Sequence, residues 1–99
     1  MSYVIVNRPL VRIDILEALD YYKKINPDLA KQFLFRIREA KELIALSPLG
    51  FQIKYKNVRT LLLKQFPYHI HFLNDETKEQ IVILAIIHAF RNPIDFSNR

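Results

Sequence analysis

The spacing of apolar residues changes twice along the chain. In "YVIVN", residues 3–7, β-branched side chains dominate a run too short for a helix, which predicts a strand broken by Arg8-Pro9. From Leu10 the apolar positions fall at helical spacing, with Val11, Ile15, Ala18, Leu19 and Tyr22 on one stripe and Arg12, Asp14, Glu17, Asp20 and Lys23 off it. This is a first amphipathic helix. Asn26 can cap a second one, Pro27 suits its first position and Asp28 favours the positive end of its dipole. Ala30, Phe33, Ile37, Ala40 and Ile44 form its stripe. It ends near "SPLG", because Pro48 disfavours helical geometry at Ser47 and Gly50 permits a tight turn.

After Gly50 the period becomes two. "FQIKY" and "VRTLLLKQ" read as one strand with an irregular start, or as two short strands broken at Lys56-Asn57. "YHIHFLN" alternates Tyr68, Ile70 and Phe72 against His69, His71 and Leu73, and the polar turn "DETKE" leads to "QIVILAIIHA". The predicted order is β-α-α-β-β-β, an α+β fold with a helical hairpin packed on one face of a mostly antiparallel sheet. Residues 1–99 form a single domain, long enough for one core and not for two.

That layout raises a question of cover. Strict alternation puts Ile81, Ile83, Ala85 and Ile87 on one face of the last strand and Val82, Leu84 and Ile86 on the other. Leu61, Leu62 and Leu63 are likewise apolar in succession. Two helices cover one face only. A partner is therefore expected over the second face or at a sheet edge, with the last ten residues and long Lys and Arg stems as the alternative cover.

Composition narrows the chemistry. The chain has no cysteine, so disulfides and thiolate metal sites are excluded, and its 51% hydrophobic content with a single glycine is that of a folded domain. The first residues lack the features of a secretory signal, and no apolar run reaches the roughly 18 residues of a membrane span. The reading is a cytoplasmic protein with no membrane partner. Net charge is +5, and it is unevenly placed. Residues 43–74 carry Lys54, Lys56, Arg59 and Lys64 without a single acid, a segment suited to an acidic partner or to a solvated face.

Candidate chemistry concentrates at the end of the last strand. His88 closes its apolar run and Arg91 follows three residues later, before Asn92-Pro93. An imidazole near neutral pKa can exchange protons and a guanidinium can hold phosphate, whereas a lone histidine can equally be a plain polar strand end. Asp95 is a candidate partner for the Arg91 charge. His69 and His71 form a His-x-His pair on a strand, with no third ligand near them in sequence, so no metal is expected. Phosphate loops, nucleophile elbows and paired carboxylates are missing from the sequence, and no cofactor is expected.

The order of elements, together with "ALDYYKKINPDLAKQFLFRI", "SPLGF", "VRTLLLKQFPYHIHF" and "IVILAIIHAFRNP", resembles the RelE/ParE superfamily of bacterial type II toxins over nearly the whole chain. The positions that carry the resemblance are Gly50, Arg59, Phe66-Pro67-Tyr68, and His88 with Arg91. Phe96 looks like the family's aromatic after the terminal Asn-Pro, packing the tail on the body. The resemblance implies a toxin component of a toxin-antitoxin module, neutralised by a cognate antitoxin protein and meeting DNA only indirectly, through that antitoxin.

The superfamily divides in mechanism. Its RelE-like branch cuts messenger RNA on the ribosome with basic residues and often a C-terminal tyrosine, whereas its ParE-like branch poisons DNA gyrase. Here His69 stands where the cleaving branch commonly has arginine, and no tyrosine follows Tyr68. The resemblance therefore implies a ParE-like gyrase poison without catalysis, with Lys54, Lys56, Arg59, Lys64 and Arg91 as binding residues. The alternatives are a ribosome-dependent endonuclease using His88, Arg91, Arg59, Lys54 and His69 on mRNA, or a degenerate member that only binds its antitoxin.

Overall fold

The computed structural model describes residues 3–91 and 94–99, so the stop signal Asn92-Pro93 lies outside the described residues. Strand β1 (Val4–Asn7) leads into helices α1 (Pro9–Ile25) and α2 (Pro27–Leu46), followed by strands β2 (Ile53–Tyr55), β3 (Val58–Leu62), β4 (Tyr68–Asp75) and β5 (Gln80–His88). The sheet order is β1-β5-β4-β3-β2, with β1 parallel to β5 and every other pair antiparallel. The break at Lys56-Asn57 is real, so four strands follow the helices and the order is β-α-α-β-β-β-β.

Local chemistry explains the boundaries. Asn26 accepts from the Asp28 N–H at 2.9 Å and Pro27 occupies the first turn of α2. Gly50 does not adopt a left-handed conformation; it sits in a short 3-10 turn, Pro48–Gly50, where a Cβ would stand 2.8 Å from the Ser47 Oγ. A side chain there requires the Ser47 hydroxyl to rotate away, and backbone freedom plays no part. The left-handed positions fall instead on Lys56, Gln65 and Glu79, one in each of the three hairpin turns.

The helices cover one sheet face over a core of Phe33, Ile37, Ile44, Ile70, Phe72, Ile81, Ile83 and Ile86, with Tyr22, Phe66 and Tyr68 completing an aromatic cluster around Phe33. The opposite face is covered as well. Val58, Val82, Leu84, Ala85 and Ile87 form a second cluster closed by Phe96 from the chain's own last residues. This corrects the expectation of a partner over that face: a segment of six residues, 94–99, lays one buried phenyl ring across it.

Strict alternation in β5 also fails. His71 pairs with Ala85 but Phe72 pairs with Ile83, so Leu84 is an extra residue, and Leu84 and Ala85 face the same side. Beyond this bulge the faces are exchanged. Ile86 joins the helix-side core, and His88 follows it to that side instead of sharing a face with Val82 and Leu84.

The same region corrects the placement of Asp14, which stood off the apolar stripe but is only 8% exposed. Strand β1 pairs with β5 only as far as Asn7–Ile83, so the edge of β5 beyond that point has no neighbouring strand. Asp14 accepts the Ile86 N–H at 3.0 Å, and Arg99 donates to the Leu84 carbonyl at 3.3 Å. The Arg99 guanidinium also binds Asp14 at 2.5 and 3.2 Å. A buried ion pair thus completes the sheet edge and ties down the tail.

Candidate functional site

The face under the tail opens into a basin of about 470 Å³, lined by Lys54, Thr60, His69, His71, Arg91 and Phe96 among others. The β2–β3 hairpin supplies Lys54, Tyr55 and Lys56, β3 supplies Thr60, and β4 supplies both histidines. Arg91 comes from the turn after β5, where its N–H donates to the His88 carbonyl at 3.1 Å. Lys54, Lys56, His69 and Arg91 therefore line one basin. Arg59 and Lys64 do not. Arg59 points to the other side of β3 and donates to the Phe51 carbonyl at 2.5 Å, while Lys64 is exposed in the turn between β3 and β4.

His88 occupies the rim between this basin and a cleft on the helix side. Its ring packs edge-on against Tyr68 at 5.3 Å, and its Nδ1 accepts the Phe90 N–H at 3.2 Å. The bulge at Leu84 is what turns it away from His69 and His71. Asp95, a candidate partner for Arg91, instead binds Lys56 at 2.5 Å. That Lys56 bond, with further bonds from Ser97, holds the Asp95 carboxyl down at about 2.

A relay of hydrogen bonds fixes the basin floor. The Tyr55 hydroxyl accepts the Phe96 N–H at 3.2 Å and shares a hydrogen bond with His71 Nδ1 at 3.1 Å. Burial raises the Tyr55 phenol, which keeps its proton in place. His71 is held in its neutral form near neutral pH. Burial first, then the nearby His69 and Arg99 charges, push its pKa down to about 4. Burial and the Lys54 charge lower His69 in the same direction.

These shifts make stability depend on pH. In the unfolded chain His71 takes up a proton as pH falls through its ordinary value of 6.5, but in the fold it does so only near 4. Between those values the unfolded state binds more protons, so acidification favours unfolding, and the penalty is absent above pH 7. The melting temperature should fall between pH 6.5 and 4, and His71→Gln, which cannot ionise, should flatten that fall by a few degrees. Parallel pH curves for the two proteins would count against the buried neutral imidazole.

Tyr55, Asp14 and Arg99 were missed as site or anchoring residues, whereas Phe96 packs the tail on the body as the resemblance implied. Tyr55 reads as a core residue in the apolar pattern, although its position between two lysines marks it as rim-facing. The Asp14–Arg99 pair spans nearly the whole sequence and leaves no local signal. Among the described residues no three His, Cys, Asp or Glu side chains converge on a metal site, and no helix is long and apolar enough to cross a membrane. Chemically, the basin offers three exposed cations, Lys56 bound to Asp95 and Lys54 and Arg91 without a carboxylate partner among the described residues, above an apolar and imidazole floor.

No protein-family model matches the sequence, and no curated protein sequence matches it either. Solved structures do match. A chain of the chromosomal ParDE toxin-antitoxin system of P. aeruginosa superposes with a TM-score of 0.75 at 22% identity, covering 88% of this chain and 96% of that one. The RelBE2 toxin-antitoxin complex of Mycobacterium tuberculosis gives 0.58 at 15% identity, over 89% of this chain and 99% of that one. A doubly substituted RelE toxin of E. coli in the free state gives 0.60 at 12% identity, over 91% and 86%. The chain has the RelE/ParE fold, as its helical hairpin on a mostly antiparallel sheet led one to expect.

Proposed function

We propose that this chain is the toxin of a toxin-antitoxin pair, held inactive by an antitoxin and acting on DNA gyrase without chemistry of its own. The observation that carries this reading is that two of the three imidazoles lining the basin have a ring nitrogen engaged within the fold. Cutting RNA through a ribose hydroxyl needs a base and an acid on either side of one phosphate, with a cation to hold it. Here His71 is tied to Tyr55 beneath Phe96, and His88 is turned to Tyr68 with its Nδ1 occupied. The aromatic residue of the tail is a buried phenylalanine, which carries no proton to exchange. What the basin presents is charge for recognition, Lys54 and Arg91. The higher TM-score with the ParDE chain supports the same branch.

A second reading rests on His69. Its lowered pKa keeps it neutral at pH 7 beside Lys54, an arrangement that suits a base near a phosphate in a ribosome-dependent mRNA endonuclease. Expression from a tightly controlled promoter in bacteria carrying a DNA-damage reporter separates the two. Growth arrest with the reporter induced is expected. Growth arrest with a silent reporter, abolished by His69→Ala, would move the function to the ribosome, and no arrest at all would leave only antitoxin binding.

A further inference from the structure

Across the rim that His88 shares with the basin, the helix side of the sheet holds a cleft of about 520 Å³, the size of a site for a small organic molecule. Helix α1 walls it with Glu17, Tyr21 and Tyr22, and Tyr68, Ile86 and Arg91 complete it from the sheet and the turn after β5. Acceptor oxygens gather here without partners. The rings of Tyr22 and Tyr68 pack against Phe33, and Tyr21 is exposed and edge-on to Tyr22 at 5.1 Å. Among the described residues Tyr55 is the tyrosine whose hydroxyl is hydrogen-bonded, so those of Tyr21, Tyr22 and Tyr68 are unmatched, and none of the three is sealed from solvent.

The charges of the cleft define its occupant. Glu17 is exposed and pairs with no base among the described residues, whereas Asp14, one turn earlier on the same helix, already holds the Arg99 guanidinium. Burial first, then Tyr21 and Glu17, raise the Tyr68 phenol, and burial, then Tyr68 and Tyr21, raise that of Tyr22. The negative ends of Glu17, Tyr21, Tyr22 and Tyr68 are therefore neighbours. An anion would be repelled by the carboxylate, and an apolar molecule would leave four side chains unmatched. A cation carrying several N–H groups satisfies the carboxylate and the phenol oxygens together, and the electron-rich tyrosine rings attract it as well.

We propose that this cleft binds a small organic cation with an N–H-bearing head, an alkylguanidinium or alkylammonium. Glu17 would hold the head, the Tyr21, Tyr22 and Tyr68 hydroxyls would accept from it, and its apolar stem would lie along Ala18 and Ile86. Arg91 is the base among the residues lining the cleft and opposes binding. The site does not depend on what the basin acts on.

Titration of the full chain with butylguanidinium at constant ionic strength, followed by NMR of labelled tyrosine rings, tests this. Because the chain's net charge is +5, general attraction of a cation is not expected, and a saturable response reports a site. Shifts of the Tyr21, Tyr22 and Tyr68 rings should saturate with a Kd on the order of 1 mM. Butylurea, neutral and of nearly the same shape, should bind about tenfold more weakly or worse, as should butylguanidinium to Glu17→Gln, since a charge-assisted bond is lost in both. Glu17→Gln alters an exposed side chain and should melt with the wild type. Tyr68→Phe, which keeps the ring, should weaken binding about threefold, and Arg91→Gln should tighten it. Absence of saturable shifts in these three rings would overturn the proposal. So would equal binding of butylurea, unchanged binding to Glu17→Gln, or weaker binding to Arg91→Gln.

Discussion

Asp14→Ala is expected to destabilise the protein by about 3 kcal/mol, because removing one member of a buried ion pair strands the other. For a domain of this size that corresponds to a melting temperature lower by roughly 12–24 °C. Three bonds disappear together: those from the Ile86 N–H and from both Arg99 nitrogens. The Ile86 N–H is left at a sheet edge with nothing to receive it, and Arg99 loses what holds the tail over Val82, Leu84 and Ala85. Asp14→Asn keeps an acceptor for Ile86 and should lose less. Arg99→Ala added to Asp14→Ala should cost little more than Asp14→Ala alone, since the two residues act as one unit. Thermal melts of these three variants and of Arg99→Ala alone check the cycle, and additive single losses would show that tail and edge are held independently.

The second large effect concerns the basin. Lys54→Glu combined with Arg91→Glu should abolish growth arrest, because both side chains are exposed on the face proposed to meet the target and reversal places like charges across that contact. Juxtaposed like charges cost several kcal/mol, so binding should weaken by roughly 100-fold or more. The fold should survive, as neither residue belongs to either hydrophobic cluster. Lys64→Glu, a single reversal outside the basin, serves as the control beside each single reversal, Lys54→Glu and Arg91→Glu, and should leave arrest intact. Equal loss in the Lys64 variant would mean that net charge, and not this face, determines toxicity.

Much of the architecture is legible in the sequence because it follows from local rules. The helical stripes, the Asn26-Pro27-Asp28 start of α2 and the alternation in β4 each depend on residues a few positions apart. Non-local features are not legible in this way. The Leu84 bulge is invisible in an unbroken run of aliphatic residues, where every register looks alike, yet it decides which face His88 occupies. Asp14 looks like an ordinary surface acid because its partner stands 85 positions away. Charge and motif single out Lys54, His69 and Arg91, which line one basin, and the resemblance singles out Phe96, whereas Tyr55, which fixes the floor beneath them, resembles any core aromatic.

The central claim is that the basic face recognises gyrase and that the chain carries no nuclease chemistry. Purified gyrase, relaxed plasmid and ATP, with the protein added, test it most directly. The account predicts lost supercoiling and accumulation of cleaved plasmid, both absent with the Lys54→Glu, Arg91→Glu variant. Undisturbed gyrase, together with mRNA cut by the wild-type protein on translating ribosomes, would contradict it.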